Sequence, residues 1–267
     1  MKRRDFLRSW VIASIGAATA RLRDSSVFAA VPRITPAAGT RKILIAGGNY
    51  GTVFIKYMAE LTGKSRPRLC FLPTASADSE KSTLTWYRNC APLNVEPSDQ
   101  ASFVESLTQK RSWEDVFLSV DGIVVSGGNT LNQQAIWKAQ GIDVVLRKAW
   151  DRGIVLGGAS AGSLCWFEEG TTDSRPQELT IVQGLGFIKG SHCPHYDAEP
   201  GRRPLYTKLI GSGQMKPGYA CDNDAGIYFE DNVVTRVVSA KQGAKAYYVS
   251  VVNGTVVEKV LEPELIR

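Results

Sequence analysis

Apolar residues along this chain fall into two kinds of run. The first kind is short and nearly unbroken: Arg41 to Gly48, Pro67 to Pro73, Gly122 to Ser126, and the stretch that begins at Ile154 and ends in Gly157-Gly158-Ala159-Ser160. A strand covered on both faces reads this way, whereas a half-exposed strand alternates. Leu93-Asn-Val-Glu96 adds a further short strand. Between these runs lie segments of helical period: Tyr50 to Leu61 with Gly63 as its stop, and a helix capped by Asp78 or Ser79 that runs through Cys90. Three more follow, near Trp113 to Ser119, from Gly127-Gly128-Asn129-Thr130 to about Ala139, and from about Ile142 to Arg152. Strand and helix in alternation predict an α/β fold, a mostly parallel sheet with helices on both faces.

The second kind of run alternates, and begins beyond Cys221. Ile227-Tyr-Phe-Glu, Val233 to Ser239, Ala246 to Val252, a turn at Asn253-Gly254, and Thr255 to Val260 read as an antiparallel C-terminal extension of the sheet. Val31 to Thr40 is rich in Pro, Ala and Gly and reads as a linker (31–40), so the pattern predicts one folded domain over 41–267.

Composition changes this picture at one end only. The formal charge of +6 suggests a polyanion partner, but Lys2, Arg3, Arg4, Arg8, Arg21 and Arg23 stand against only Asp5 and Asp24 in the first thirty residues. The folded part is left near neutrality, which argues against nucleic acid as a partner. Arg3-Arg4, then Phe6-Leu7, then a weakly apolar run from Trp10 to Ala20 resemble a twin-arginine export signal over residues 1–30, and the run is too short to span a bilayer permanently. The expectation is a periplasmic or secreted protein without stable membrane insertion, a cytoplasmic protein with a basic tail being the alternative. Five cysteines, odd in number and without C-x-x-C spacing, do not form a disulfide framework.

Ligands of parallel sheets sit at the carboxyl ends of the strands, where Gly48, Pro73-Thr74, Gly127-Gly128 and Ser160 fall. Gly158-Ala-Ser-Ala-Gly162 is the G-x-S-x-G of a nucleophile elbow, a strand turning sharply into a helix with the serine at the corner. A serine needs a base, and the chain has only His192 and His195. Those two with Cys193 and Asp197 also form a set of metal ligands, but it is crowded into six residues with no second cluster elsewhere, so neither a metal nor another cofactor is expected. The α/β-hydrolase order of serine, acid, histidine is excluded, because no histidine follows His195 and too little chain separates it from Ser160. The orienting group therefore falls after the histidine, where Tyr219-Ala-Cys-Asp222-Asn223-Asp224 offers two aspartates and an asparagine. Backbone donors for an oxyanion are expected from Ala161, just after the serine, and from the loop Gly127 to Thr130. Neither glycine loop spells G-x-G-x-x-G and no acid follows the second strand, so a dinucleotide is not expected.

Gly127-Gly-Asn-Thr130, Gly158-Ala-Ser-Ala-Gly162 and Cys193-Pro-His-Tyr-Asp197, in that order, resemble the peptidase E (aspartyl dipeptidase) and cyanophycinase family of serine peptidases. The resemblance implies a fold like the class I glutamine amidotransferases and metal-free hydrolysis of short peptides, with a preference for N-terminal aspartate in peptidase E itself. Carried onto this chain, it makes Ser160 the nucleophile, His195 the base, and Gly128 with Ala161 the oxyanion donors. The family's acid falls at Asp222 to Asp224; Asp222 is the choice here, with Asn223 and Asp224 as alternatives. Asp173, Arg175 and Arg202 are the candidates for holding substrate, the arginines through a bidentate grip on a carboxylate. The competing expectation is a non-catalytic protein that binds a small molecule on the same scaffold.

Overall fold

In the computed structural model the described residues are 39–103 and 108–267. The segment expected to be an export signal (1–30), and the expected linker up to residue 38, lie outside them. The four unbroken runs are β1 (Lys42–Ala46), β2 (Arg68–Leu72), β4 (Gly122–Val125) and β5 (Val155–Ala159), with β3 (Glu96–Asp99) between the second and third. They pair in parallel in the order β1-β5-β4-β2-β3. The edge strand β3 starts where the expected Leu93–Glu96 strand ends. Its residues Glu-Pro-Ser-Asp are polar because only one side is paired, and the apolar Leu93 and Val95 pack as the lead-in to it.

Alternate residues of these strands point to opposite layers. Leu44, Leu69, Phe71 and Val124 pack on α1 (Thr52–Leu61) and α2 (Glu80–Cys90) through Phe54, Met58 and Trp86. Ile43, Ile45, Leu72, Ile123 and Leu156 pack on α4 (Thr130–Gln140) and α5 (Ile142–Asp151) through Trp137, Leu146 and Trp150. Each of these fully buried side chains is worth about 1.5–3 kcal/mol of transfer free energy, so the inner strands could not alternate with polar residues and survive. Helix starts follow local chemistry. Ser112 and Asp115 form a reciprocal capping box for α3 (Trp113–Phe117), and the Asn129 side chain accepts from Asn132 N at 2.9 Å to cap α4. Ser79 occupies the cap position of α2 without a side-chain bond, while the Asp78 carboxylate accepts instead from Ser102 N and Phe103 N.

The alternating C-terminal strands divide between two sheets. Strands β10 (Ala225–Glu230) and β11 (Val233–Ser239) continue the main sheet antiparallel to β1, as the pattern predicts. By contrast β12 (Ala246–Val252) and β13 (Thr255–Leu261) leave it and join a second sheet of six strands, in the order β13-β12-β9-β8-β6-β7. Its other members are β6 (Phe167–Thr172), β7 (Thr180–Gln183), β8 (Ile188–Cys193) and β9 (Gly218–Cys221), and α7 (Arg202–Gly211) covers it through Tyr206, Leu209 and Ile210. Trp166, Phe167, Phe187 and Ile188 join the core on the α4/α5 face of the main sheet. The second sheet thereby carries the loop 193–199 to the carboxyl ends of β1 and β5.

Candidate active site

The corner after β5 is built by steric exclusion. Ser160 has φ 58° and ψ −120°, a region costing about 1–3 kcal/mol for a residue with a β-carbon. A β-carbon at Gly158, whose φ is +149°, would lie 2.4 Å from Val125 O, and one at Gly162 would lie 2.2 Å from the same oxygen. The neighbouring strand end therefore dictates glycine at both flanks of the serine. One helical turn, α6 (Ala161–Leu164), follows, with Ser163 N and Leu164 N donating to Ser160 O at 3.0 and 2.9 Å. Register sets Ala159 opposite Ala46, so Ser160 stands beside Gly47 and Gly48 at the end of β1.

His195 reaches the same strand end from the second sheet. Its N–H donates to Gly47 O at 3.2 Å, and its ring Nδ1 lies 2.8 Å from Asn223 Oδ1. A carboxamide oxygen only accepts, so Nδ1 is the donor in this bond and Nε2 is the nitrogen left to act as a base. Gly48 leaves room for this pair, since a β-carbon there would sit 2.1 Å from Asn223 Oδ1 and 2.9 Å from His195 Nδ1. Asn223 is held in turn by Asp197, whose Oδ1 accepts the Asn223 N–H at 2.8 Å, and Tyr196 N donates to Cys221 O at 3.0 Å.

The expectation that Asp222 orients the imidazole is corrected here. Its carboxylate points the other way, accepting from Lys245 N at 2.9 Å, and burial pushes its carboxyl above the usual range. The third alternative, Asp224, accepts from Asn49 Nδ2 at 2.9 Å. His192 is an internal strut. It is fully buried, stacks on Phe167, and uses Nε2 with Ser163 Oγ at 2.9 Å and Nδ1 with Tyr219 O at 3.0 Å. Burial pulls it down to about 3, so it stays neutral at neutral pH. All five cysteines are free and buried, and among the described residues no group of three or more His, Cys, Asp or Glu is arranged to hold a metal.

The sequence profile of Peptidase family S51 matches residues 43–237. The chain belongs to that family. It is a serine-type peptidase of the peptidase E kind, and 203 of its residues are 41% identical to the uncharacterized peptidase YgaJ of Bacillus subtilis (strain 168), covering 76% of this chain and 86% of the relative. Two solved structures share its fold. A peptidase from an acI-B1 Actinobacterium superposes with a TM-score of 0.66 at 16% identity, over 86% of this chain and 98% of its own. A putative peptidase E protein from Listeria monocytogenes EGD-e does so with a TM-score of 0.56 at 18% identity, over 84% of this chain and 100% of its own.

In this S51 peptidase the glycine loop after β4 lies against the serine. A β-carbon on Gly127 would come 3.3 Å from Ser160 Cβ, and Gly128, at φ +135°, passes so close to Ala75 O that a β-carbon would sit 2.1 Å away. Among the described residues neither Gly128 N nor Ala161 N has a protein acceptor. The loop after β6 docks on this one, with Ser174 Oγ accepting from Thr130 N at 2.9 Å and Ser174 O from Asn129 Nδ2 at 3.1 Å. Asp173 and Arg175 therefore flank the glycine loop, both exposed, with Arg175 Nη1 donating to Thr180 Oγ1 at 2.7 Å and Ile181 O at 3.1 Å. Arg202 is placed differently from the expectation of a substrate grip. It is 2% exposed, and its guanidinium is engaged by Glu199 (2.6 Å), Thr171 O (2.8 Å) and Asp173 (3.6 Å), so it ties the histidine loop to the loop after β6.

A cavity of about 420 Å³ opens at Ser160 on the α1/α2 side, lined by Asn49, Tyr50 and one face of α2 as well as by Ser126 and Gly127. Sequence reasoning had used α2 only as a helix. Its signal was present all the same: Lys81, Ser82, Thr85 and Asn89 recur at helical spacing on the face that reaches the strand ends.

Proposed function

We propose that this chain hydrolyses short peptides as a dipeptidase, substrates with N-terminal aspartate among them, through Ser160, His195 and Asn223. The observation that carries the reading is the Ser160 corner, a strained serine held beside two unpartnered backbone N–H groups and a histidine whose Nε2 is left as a base. Ser160 Oγ bonds to the scissile carbonyl carbon as its proton passes to His195 Nε2. The oxyanion accepts from Gly128 N and Ala161 N. The C–N bond then breaks, the leaving amine takes the proton from His195, and water attacks the acyl-serine while its proton returns through His195 to Ser160. Asn223 fixes the tautomer and ring plane as an amide, contributing orientation without a negative charge.

Ser160→Ala, with unchanged thermal unfolding, is expected to lower hydrolysis of Asp-X dipeptides by about 10³-fold or more. Retained hydrolysis would sink the reading. One observation favours a second reading, a non-catalytic small-molecule binder: the partner of His195 is neutral. Loss of hydrolysis without loss of ligand affinity in Ser160→Ala separates the two. The resemblance of residues 1–30 to a twin-arginine signal supports a periplasmic or secreted site of action.

A further inference from the structure

The cavity beside Ser160 has one charged group in its lining, Lys81 on the first turn of α2. Among the described residues Lys81 has no ion-pair partner, and no carboxylate lines the cavity with it. A second observation points the same way. The first turn of an eleven-residue helix adds unpaired N–H groups and the positive end of its dipole, and Ser82 and Thr85 add hydroxyls to the lining. Cation, helix start and hydroxyl donors all favour a negative, oxygen-rich group.

We propose that Lys81 determines specificity by holding a carboxylate of the peptide substrate in this cavity. The inference rests on the hydrolase reading, because it places the carboxylate on a substrate whose carbonyl lies at Ser160. It moves recognition away from Arg202, whose guanidinium is already engaged inside the protein. The carboxylate has two sources in a dipeptide, an acidic side chain and the free C-terminus. Lys81 is exposed, so its replacement leaves the core intact.

The test is calorimetric binding of Asp-Leu, Asn-Leu and Asp-Leu amide to Ser160→Ala, alone and combined with Lys81→Met. Ser160→Ala is expected to bind Asp-Leu about tenfold tighter than the analogue that lacks the recognised carboxylate. Asn-Leu is the weak ligand if the side chain is read, and the amide is if the terminus is read. Lys81→Met is expected to abolish that ratio by weakening the ligands that carry the recognised carboxylate while leaving the one that lacks it unchanged. A ratio that survives Lys81→Met, three equal affinities, or no binding of any of the three would overturn the proposal. Hydrolysis by the unsubstituted protein, measured in parallel, reports separately on Ser160, so a failure of the hydrolase reading is distinguishable from a failure of the Lys81 assignment.

Discussion

Under the proposed mechanism Asn223 stands where an acid is expected beside the imidazole of the base, and chemistry at that one atom sets a limit on the rate. A carboxylate would both orient Nδ1–H and offset the charge that Nε2 acquires during attack, whereas the amide oxygen does only the first. Asn223→Asp is therefore expected to raise kcat by about tenfold or more. It should also move the acid limb of the pH–rate profile to higher pH, since a negative neighbour favours the protonated ring. Steady-state rates on one dipeptide across pH 4–9 check both effects; an unchanged or lower kcat would mean the amide itself is the required partner. Elbow geometry singles out Ser160, the scarcity of histidine narrows the expected base to His192 and His195, and the family resemblance chooses His195. Sequence reasoning chooses Asp222 over Asn223 and Asp224 without a pattern to decide among them, because turn residues adopt irregular dihedrals and strict alternation does not apply there. The bridge from Gly48 to Asn223, a contact between positions remote in sequence, decides which side chain faces the ring.

At the scale of elements, β1, β2, β4 and β5 were legible because burial on both faces demands unbroken apolar runs. Strands β6 and β8 were not. Thr171, Thr172, Ser191 and His192 are buried polar residues within them, and all but Thr172, which bonds the nearby Ser174, are satisfied by partners that only folding brings close. His192 gives this a measurable consequence. Its value in the native protein, about 3, lies below the ordinary 6.5, so the unfolded chain binds the extra proton. The neutral ring's contribution is complete above about pH 6.5 and is lost progressively as pH falls toward 3. Urea unfolding at pH 7, 6, 5 and 4 is expected to show stability falling along this window, with a shallower fall in His192→Gln. Identical pH dependence in the two proteins would remove His192 as the cause.

At the scale of the molecule, the second sheet exists to bring a histidine loop to a serine held on the first. Arg202 shows how that is fixed, one buried guanidinium joining Glu199 behind His195 to Thr171 and Asp173 beside the glycine loop. The alternating C-terminal pattern predicted strands correctly, but not that β12 and β13 would change sheets. Period-two patterning reports exposure of one face and is silent on which sheet supplies the neighbour. For the whole chain, Arg3 and Arg4 carry the expectation of export. Exchange of both for lysine is expected to leave the protein in the cytoplasm of a host with a twin-arginine pathway, read by fractionation, and export undiminished by the exchange would contradict it.

The central claim is that the Ser160 corner is an activated nucleophile, and covalent labelling tests it most directly. A fluorophosphonate probe followed by peptide mapping is expected to modify Ser160 alone among the serines, at a rate reduced in His195→Ala. Absence of labelling, or labelling spread over several serines and indifferent to His195, would contradict the account.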